Sequence, residues 1–350
     1  MPANSRDRFT LDKDLLAGCN RSIQHGSKSF MVASRLLPRP IREASRALYA
    51  YCRAADDLID ESPCIETGLA QLKARTARIY SGTPEDFPED RAFAAVVAHF
   101  AIPKTLPDAL GEGFAWDAEA RRYETLEDLA AYAARVASSV GVMMSMIMGV
   151  TDRNILARAA DLGLAMQLTN IARDVGEDAA RGRLYLPENW LLDAGLDPQE
   201  FLRNPSPKPE ILQAVHRLLG AADELYSRAV TGIAGLPSSC RIAIYSAALI
   251  YREIGTVIAA NGYDSVTRRA VTSRQRKLAL VAQAAGSPWL FQTVATAPAH
   301  ATTQFMVDAA SVFAQNDVKG LTAKAGRMVE LMLSSELRRR ESKSMSRPNG

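Results

Sequence analysis

Histidine and cysteine, which usually ligate transition metals or carry nucleophilic chemistry, are scarce: four of each in 350 residues. His25, His99, His216 and His300 show no metal-ligand spacing, and no HExxH or Ser/His/Asp pattern stands out. Cys19, Cys52, Cys64 and Cys240 lie far apart without a CxxC pair. That argues against zinc motifs and predicts reduced thiols in a cytosolic protein. Strand-like alternation is also rare, and no GxGxxG follows a strand, so a Rossmann dinucleotide site is not indicated. Lys and Arg (42) barely exceed Asp and Glu (39), too small an excess for a general nucleic-acid binder. Long hydrophobic runs are missing too. The uncharged window Val136–Val150 is shorter than the ~20 residues of a spanning helix. Leu278–Val307 has no Asp, Glu, Lys or Arg, but Pro288, Pro298 and several polar residues interrupt it. The polar first ten residues predict no secretory signal. The expectation is a soluble protein able to touch a bilayer surface.

What is present is helical. Ala, Leu, Arg and Glu recur between breaks at Pro38–Pro40, Ser62–Pro63, Gly82–Pro88, Pro103–Pro107, Arg181–Pro187, Asn204–Pro209 and Gly235–Ser238. The intervals predict helices over Ile41–Glu61, Cys64–Tyr80, Glu89–Phe100, Leu126–Gly149, Asn154–Asp178, Glu210–Gly232 and Cys240–Gly262. Leu164, Leu168, Ile171 and Val175 step by 4, 3 and 4, an apolar helical stripe. The predicted fold class is all-α, a helical bundle with ample material for a core.

Two places run against ordinary helix logic. Asp56 and Asp60 stand at i and i+4 with Asp57 beside them, and Asp174 and Asp178 repeat the spacing with Glu177 between. Like charges at i,i+4 destabilise a helix by roughly 0.2–0.5 kcal/mol per pair, and Asp is a poor helix former. A single such pair reads as a solvated acidic face. Two pairs, each set among apolar residues, point instead to a divalent cation. Oxygen-only ligands suit Mg²⁺ or Mn²⁺, which takes one or two carboxylates, waters and substrate phosphates. The carboxylates continue longer polar rows. Tyr49, Arg53, Asp56 and Asp60 share one face, and Gln167, Asn170, Asp174 and Asp178 share another. Such rows inside apolar helices must face water, a ligand or a partner.

Five ordered blocks resemble the squalene/phytoene synthase family, most nearly its bacterial phytoene-forming members. They are His25-Gly-Ser-Lys-Ser-Phe30 with Ser34-Arg-Leu-Leu-Pro38; Leu48 to Asp60 (LYAYCRAADDLID); Tyr132 to Gly141 (YAARVASSVG); Gln167 to Asp178 (QLTNIARDVGED) followed by Gly182-Arg-Leu-Tyr-Leu-Pro187; and Tyr251-Arg-Glu-Ile254 with Arg268, Arg269 and Lys277. In the third block Ala133 and Ala137-Ser138 replace the Cys and Ala-Gly frequent in the family.

The resemblance implies an isoprenoid-synthase-type bundle around a central cavity, with the two aspartate motifs facing each other at its mouth. It implies that Asp56, Asp60, Asn170, Asp174 and Asp178 hold two or three Mg²⁺ or Mn²⁺ ions. Ser27, Ser29, Arg53, Asn170, Arg173, Arg183, Tyr185 and Tyr251 would bind the substrate diphosphates, and Tyr132 would lie near the leaving group and the proton-loss step. The implied activity is a prenyltransferase of carotenoid biosynthesis. It joins two geranylgeranyl diphosphates through the cyclopropyl intermediate prephytoene diphosphate to 15-cis-phytoene, with no NADPH expected.

Alternatives remain open at this point: a squalene or dehydrosqualene synthase using farnesyl diphosphate, a chain-elongating prenyl synthase, and a non-catalytic helical assembly factor of the same fold. The expected organisation is an N-terminal extension (1–20), a catalytic domain (21–277), a C-terminal helical extension (278–335) and a disordered basic tail (336–350). Val136, Val140, Met143, Met144, Met146, Ile147 and Met148 are candidates for the cavity wall, with generic core as the competing reading. Location is expected in the cytoplasm, peripheral at the inner membrane, in contact with lipid or a downstream carotenoid desaturase.

Overall fold

The computed structural model describes residues 9–24, 34–290, 294 and 296–312, and among these there is no β-strand. The helices, in chain order, begin with α1 (Lys13–Gln24), α2 (Arg39–Asp60), α3 (Ile65–Tyr80), α4 (Pro88–Phe100) and α5 (Thr105–Ala118). They continue with α6 (Leu126–Ala133), α7 (Ser139–Ile147), α8 (Arg153–Ala180), α9 (Glu188–Asp193), α10 (Pro198–Arg203), α11 (Pro209–Val230), α12 (Ser238–Ala260) and α13 (Arg274–Ala285). The expected all-α class is what the chain adopts.

Helix α8 is the axis of the bundle and packs against α7, α11 and α12. Its stripe Leu164, Leu168, Ile171 and Val175 is buried, as the periodicity requires. Asp152 caps its start, accepting from the backbone N–H of Asn154 (2.8 Å) and Ile155 (3.2 Å). Opposite α8 runs Leu126–Ile147, expected as one uninterrupted helix. The structure breaks its hydrogen-bond ladder with a π-helical stretch, Ala134–Ser138, between α6 and α7. Such bulges add a residue to a turn and recur at functional sites. The two helices touch backbone to backbone there. A Cβ on Gly163 would fall 2.6 Å from Ser138 Cα, so only glycine permits the approach, and Ser138 Oγ closes it by donating to the Ala160 carbonyl at 2.7 Å.

Five of these helices, α1, α5, α9, α10 and α13, were not among the helical intervals expected from the sequence. The break assigned to Pro103–Pro107 is wrong in detail. Helix α5 starts at Thr105 and carries Pro107 in its first turn, where the missing N–H costs nothing. Helix α13 runs through residue 277, where the catalytic domain was expected to end. The uncharged windows also understated the apolar helices. Leu126–Ile147 and Ser238–Ala260 are each long and apolar enough to cross a membrane by length and composition. Both are nevertheless built into the bundle, flanking α8.

Candidate active site

The aspartate pairs sit at one end of the bundle. Asp56 and Asp60 lie on the last turns of α2, and Asp174 and Asp178 on the last turns of α8. These two helices are not a packed pair, which leaves a gap between the motifs. Asp117, on the last turn of α5, was not singled out from sequence, yet it occupies this gap. It accepts from Tyr132 Oη through Oδ2 and from Tyr185 Oη through Oδ1, each at 2.6 Å. Burial pushes its carboxyl upward against the lowering effect of both tyrosines and Arg183. Its charge in turn is felt by Asp56 and Asp178.

The carboxylates crowd one another. Burial, with Asp60 close by, pushes Asp56 up to about 6, and burial with Asp174 close by pushes Asp178 up to about 6. Asp174 behaves differently. Burial raises its carboxyl, but Arg173 and Arg269 together outweigh that and hold it below the usual carboxylate range. Arg173 grips it with Nε at 2.7 Å and Nη2 at 2.5 Å, and Arg269 Nε adds a third bond at 2.9 Å while reaching Glu177 at 3.0 Å. Arg269 arrives because the turn at 264–267 docks on α8 at Gly176. Gly176 N–H donates to the Ser265 carbonyl at 3.0 Å, and a Cβ there would lie 2.1 Å from the Val266 carbonyl oxygen. The glycine between Asp174 and Asp178 is thus a docking requirement.

Of the other predicted residues, Arg53 turns toward its own helix. It binds Asp57 Oδ2 at 3.1 Å and Asp56 Oδ2 at 3.2 Å. Arg183 lies beside Tyr185, Asp117 and Asp60. Tyr132 is buried, and its hydroxyl is pushed well above the usual tyrosine value by burial and then by Asp117. Tyr123, Tyr132 and Tyr185 stack beside the carboxylates with ring centroids 5.3 to 6.1 Å apart. Ser27 and Ser29 lie outside the described residues.

Behind this end a cavity of about 320 Å³ runs into the bundle. Gln167, Asn170 and Tyr251 line its polar end, so two of the predicted diphosphate residues stand at the transition from polar to apolar wall. On α8 the lining residues Ile155, Arg158, Ala159, Leu162, Gly163, Met166, Gln167 and Asn170 form one continuous face. Of the wall candidates, Val136, Val140, Met144 and Met148 line the opposite wall. Met143, Met146 and Ile147 do not. They point into the core, because residues spread around a helix cannot all share one face.

The donor set suits a hard divalent cation. It is all oxygen, and burial together with its excess negative charge is why Asp56 and Asp178 hold protons so readily. Among the described residues no three His, Cys, Asp or Glu side chains converge on one point. Each ion would therefore rest on one or two carboxylates, with phosphate oxygens and water completing the shell, the arrangement Mg²⁺ favours.

An all-helical bundle with paired aspartates at the mouth of an apolar cavity defines an isoprenoid-synthase-type protein. Over residues 23–276 the sequence matches the squalene/phytoene synthase family, and the chain belongs to that family. It is 53% identical over 272 residues to a phytoene synthase of Rhodobacter capsulatus, covering 77% of this chain and 80% of that one. A phytoene synthase of Cereibacter sphaeroides is 51% identical over 273 residues, covering 75% and 77%. Among solved structures, a ligand complex of a dehydrosqualene synthase superposes with a TM-score of 0.70 at 32% identity, covering 78% of this chain and 96% of that one. The chain is accordingly a prenyltransferase-type enzyme of isoprenoid and carotenoid biosynthesis.

Proposed function

We propose that the enzyme condenses two geranylgeranyl diphosphates head to head into 15-cis-phytoene, releasing two diphosphates. The observation that carries this reading is the length of the cavity. From Asn170 to Ile155 its α8 wall is about 22 Å long at 1.5 Å per residue. An extended 20-carbon prenyl chain advances about 19 Å and a 15-carbon chain about 14 Å, at roughly 1.25 Å per C–C bond. The wall accommodates the longer tail. The dehydrosqualene synthase likeness keeps the C30 reaction as the reading to be tested against it.

Asp56, Asp60, Asn170, Asp174 and Asp178 would hold Mg²⁺ or Mn²⁺ at the mouth. Such ions, when bound, supply positive charge to the departing diphosphate. Arg173, Arg183 and Arg269 offer planar forks to the same oxygens once substrate displaces Arg173 and Arg269 from Asp174. Arg53, Tyr185, Tyr251, Ser27 and Ser29 complete the proposed diphosphate site. The aromatic faces of Tyr123, Tyr132 and Tyr185 suit the allylic cation left behind, and the apolar cavity excludes water that would quench it. Tyr132 already gives its proton in a hydrogen bond to Asp117, so its oxygen can accept a substrate proton as its own passes to the carboxylate. None of these steps uses a hydride, and NADPH is not required.

The product is a C40 hydrocarbon. At ~0.8 kcal/mol per CH₂, its release into water is prohibitive, so it passes to lipid or to a desaturase. We place the enzyme in the cytoplasm, peripheral at the inner membrane. Exposed Val271 and Leu278 beside Arg268 and Arg274 support a lipid contact. In the far half of Leu278–Val307, Met306 and Val307 are buried while Phe305 is exposed; Phe291 lies outside the described residues. In the proposed organisation residues 21–277 hold the catalytic site, 1–20 and 278–335 are extensions, and 336–350 form a tail.

The test is hydrocarbon analysis after incubation with geranylgeranyl or farnesyl diphosphate, with Mg²⁺, with and without NADPH. Phytoene from the C20 substrate irrespective of NADPH is expected. Squalene or dehydrosqualene as the preferred product overturns the reading.

A further inference from the structure

Behind the far wall of the cavity lie residues outside the family segment, which stops at residue 276. The chain passes α12, where Arg241 Nη1 holds the Leu290 carbonyl at 2.6 Å. Val294 then packs where a side chain on Gly235 would go, next to Ile155 of the cavity wall. Residues 296–300 cross the early turns of α8, 301–303 settle against α6 and the π-helical stretch, and the helix at 304–312 buries Met306, Val307 and Ala310.

A buried charge cluster fastens this strap. Arg158 is 2% exposed and lines the cavity, and Asp161 is fully buried. Arg158 Nε binds Asp161 Oδ2 at 2.8 Å, and Arg228 Nε binds the same oxygen at 3.1 Å. Two guanidinium groups thus share one carboxylate and have donors left over. The strap supplies what they lack. Arg158 Nη1 binds the Ala297 carbonyl at 3.2 Å, Arg158 Nη2 the Pro298 carbonyl at 3.1 Å, and Arg228 Nη2 the Pro298 carbonyl at 2.9 Å. Arg228 is 38% exposed, but unmet donors on the buried Arg158 are costly, so Arg158 and the strap require each other. At the strap's end an ion pair joins Arg153, on the first turn of α8, to Asp308.

We infer that residues 296–312 back the floor of the hydrocarbon cavity by latching its lining residue Arg158, and that this backing holds the floor in place and keeps water from the cavity's far end. Arg158 is a positioning residue in this scheme. Its aliphatic stem is wall and its fork is the latch. The consequence for the reaction rests on the proposed prenyl-transfer reading, whereas the closure itself does not.

Two readouts separate these. The first is solvent access. A cysteine placed at the deep wall by Met148→Cys should react slowly with a charged, water-soluble methanethiosulfonate, followed by peptide mass. Adding Arg158→Met should accelerate it about tenfold as the latch bonds are lost. Because a buried variant can misfold, the surface pair gives a second route: Arg153→Asp should accelerate labelling, and adding Asp308→Arg should restore the slow rate. The second readout is product partition with geranylgeranyl diphosphate. Water capture of the allylic cation forms a C–O bond, releases a proton and gives a prenyl alcohol. The alcohol-to-hydrocarbon ratio should rise about tenfold in Arg158→Met, whereas mere loss of folded enzyme lowers turnover and leaves the ratio alone. Unchanged labelling in Arg158→Met and Arg153→Asp overturns the floor. Faster labelling in a protein whose parent makes no C40 hydrocarbon leaves the floor standing and overturns the proposed function.

Discussion

Ala159→Phe should convert the enzyme from a C20 to a C15 user. Ala159 lies on the cavity face of α8, eleven residues or about 17 Å from Asn170. A benzyl group there projects into the cavity that Ala159 and Gly141 both line. The usable length falls below the ~19 Å of a geranylgeranyl tail and stays above the ~14 Å of a farnesyl tail. The excluded piece is about one isoprene unit, five carbons at ~0.8 kcal/mol each, or about 4 kcal/mol. Off-rotamer packing recovers part of this, so kcat/KM for geranylgeranyl diphosphate should drop about 10²- to 10³-fold. For farnesyl diphosphate it should change less than about fivefold. The assay is competition between the two diphosphates in one tube, with hydrocarbons separated by chain length. Equal loss on both substrates would show that the substitution damages the site generally, and retained C20 turnover would show that the tail does not follow α8.

Asp117→Asn tests the proton acceptor. Asn offers one acceptor oxygen where Tyr132 and Tyr185 now use two, so turnover should fall about 10²-fold with little change in melting temperature or KM; steady-state kinetics near wild type contradict the role. Gly176→Ala forces the 264–267 turn off α8 and takes Arg269 away from Asp174. KM for the diphosphate should rise severalfold and thermal stability should fall by about 1–3 kcal/mol, whereas an unchanged melting curve would mean the turn relaxes freely. In metal-free protein Asp56 and Asp178 titrate near 6 against an unfolded value of 3.8. The folded state therefore binds more protons between about pH 4 and 6, and stability contributed below that window is lost as pH rises through it. Differential scanning should show a lower melting temperature at pH 7 than at pH 5 without metal, and a Mg²⁺-induced rise that is larger at pH 7. A Mg²⁺ effect independent of pH would remove the carboxylates from the account.

The helix stripes and the aspartate rows were legible because both are periodic, and a period survives without knowledge of the partner. Leu164, Leu168, Ile171 and Val175 are buried; the spacing put each aspartate pair on one helix face, and the family resemblance implied the shared mouth at which Asp56, Asp60, Asp174 and Asp178 end their helices. Asp117 was not legible. Pro107 reads as a break when it is only the first turn of α5, and an isolated Asp near Trp116 has no repeat to mark it. The grip of Arg269 on Asp174 spans 95 residues and depends on a turn that docks only because residue 176 lacks a Cβ. The methionine wall was half legible: a helix presents one face, and which of seven apolar residues take it depends on where the π-helical stretch shifts the phase. Arg158 and Asp161 look like an ordinary i,i+3 surface pair in sequence. Only the fold reveals that both are buried and hold a strap some 140 residues away.

The most direct measurement is the stoichiometry of a rapid-quench time course with geranylgeranyl diphosphate and Mg²⁺. The account predicts that prephytoene diphosphate rises first and then decays into phytoene, with two diphosphates released for each hydrocarbon. A single diphosphate per product, with a longer prenyl diphosphate accumulating in place of a hydrocarbon, would contradict it.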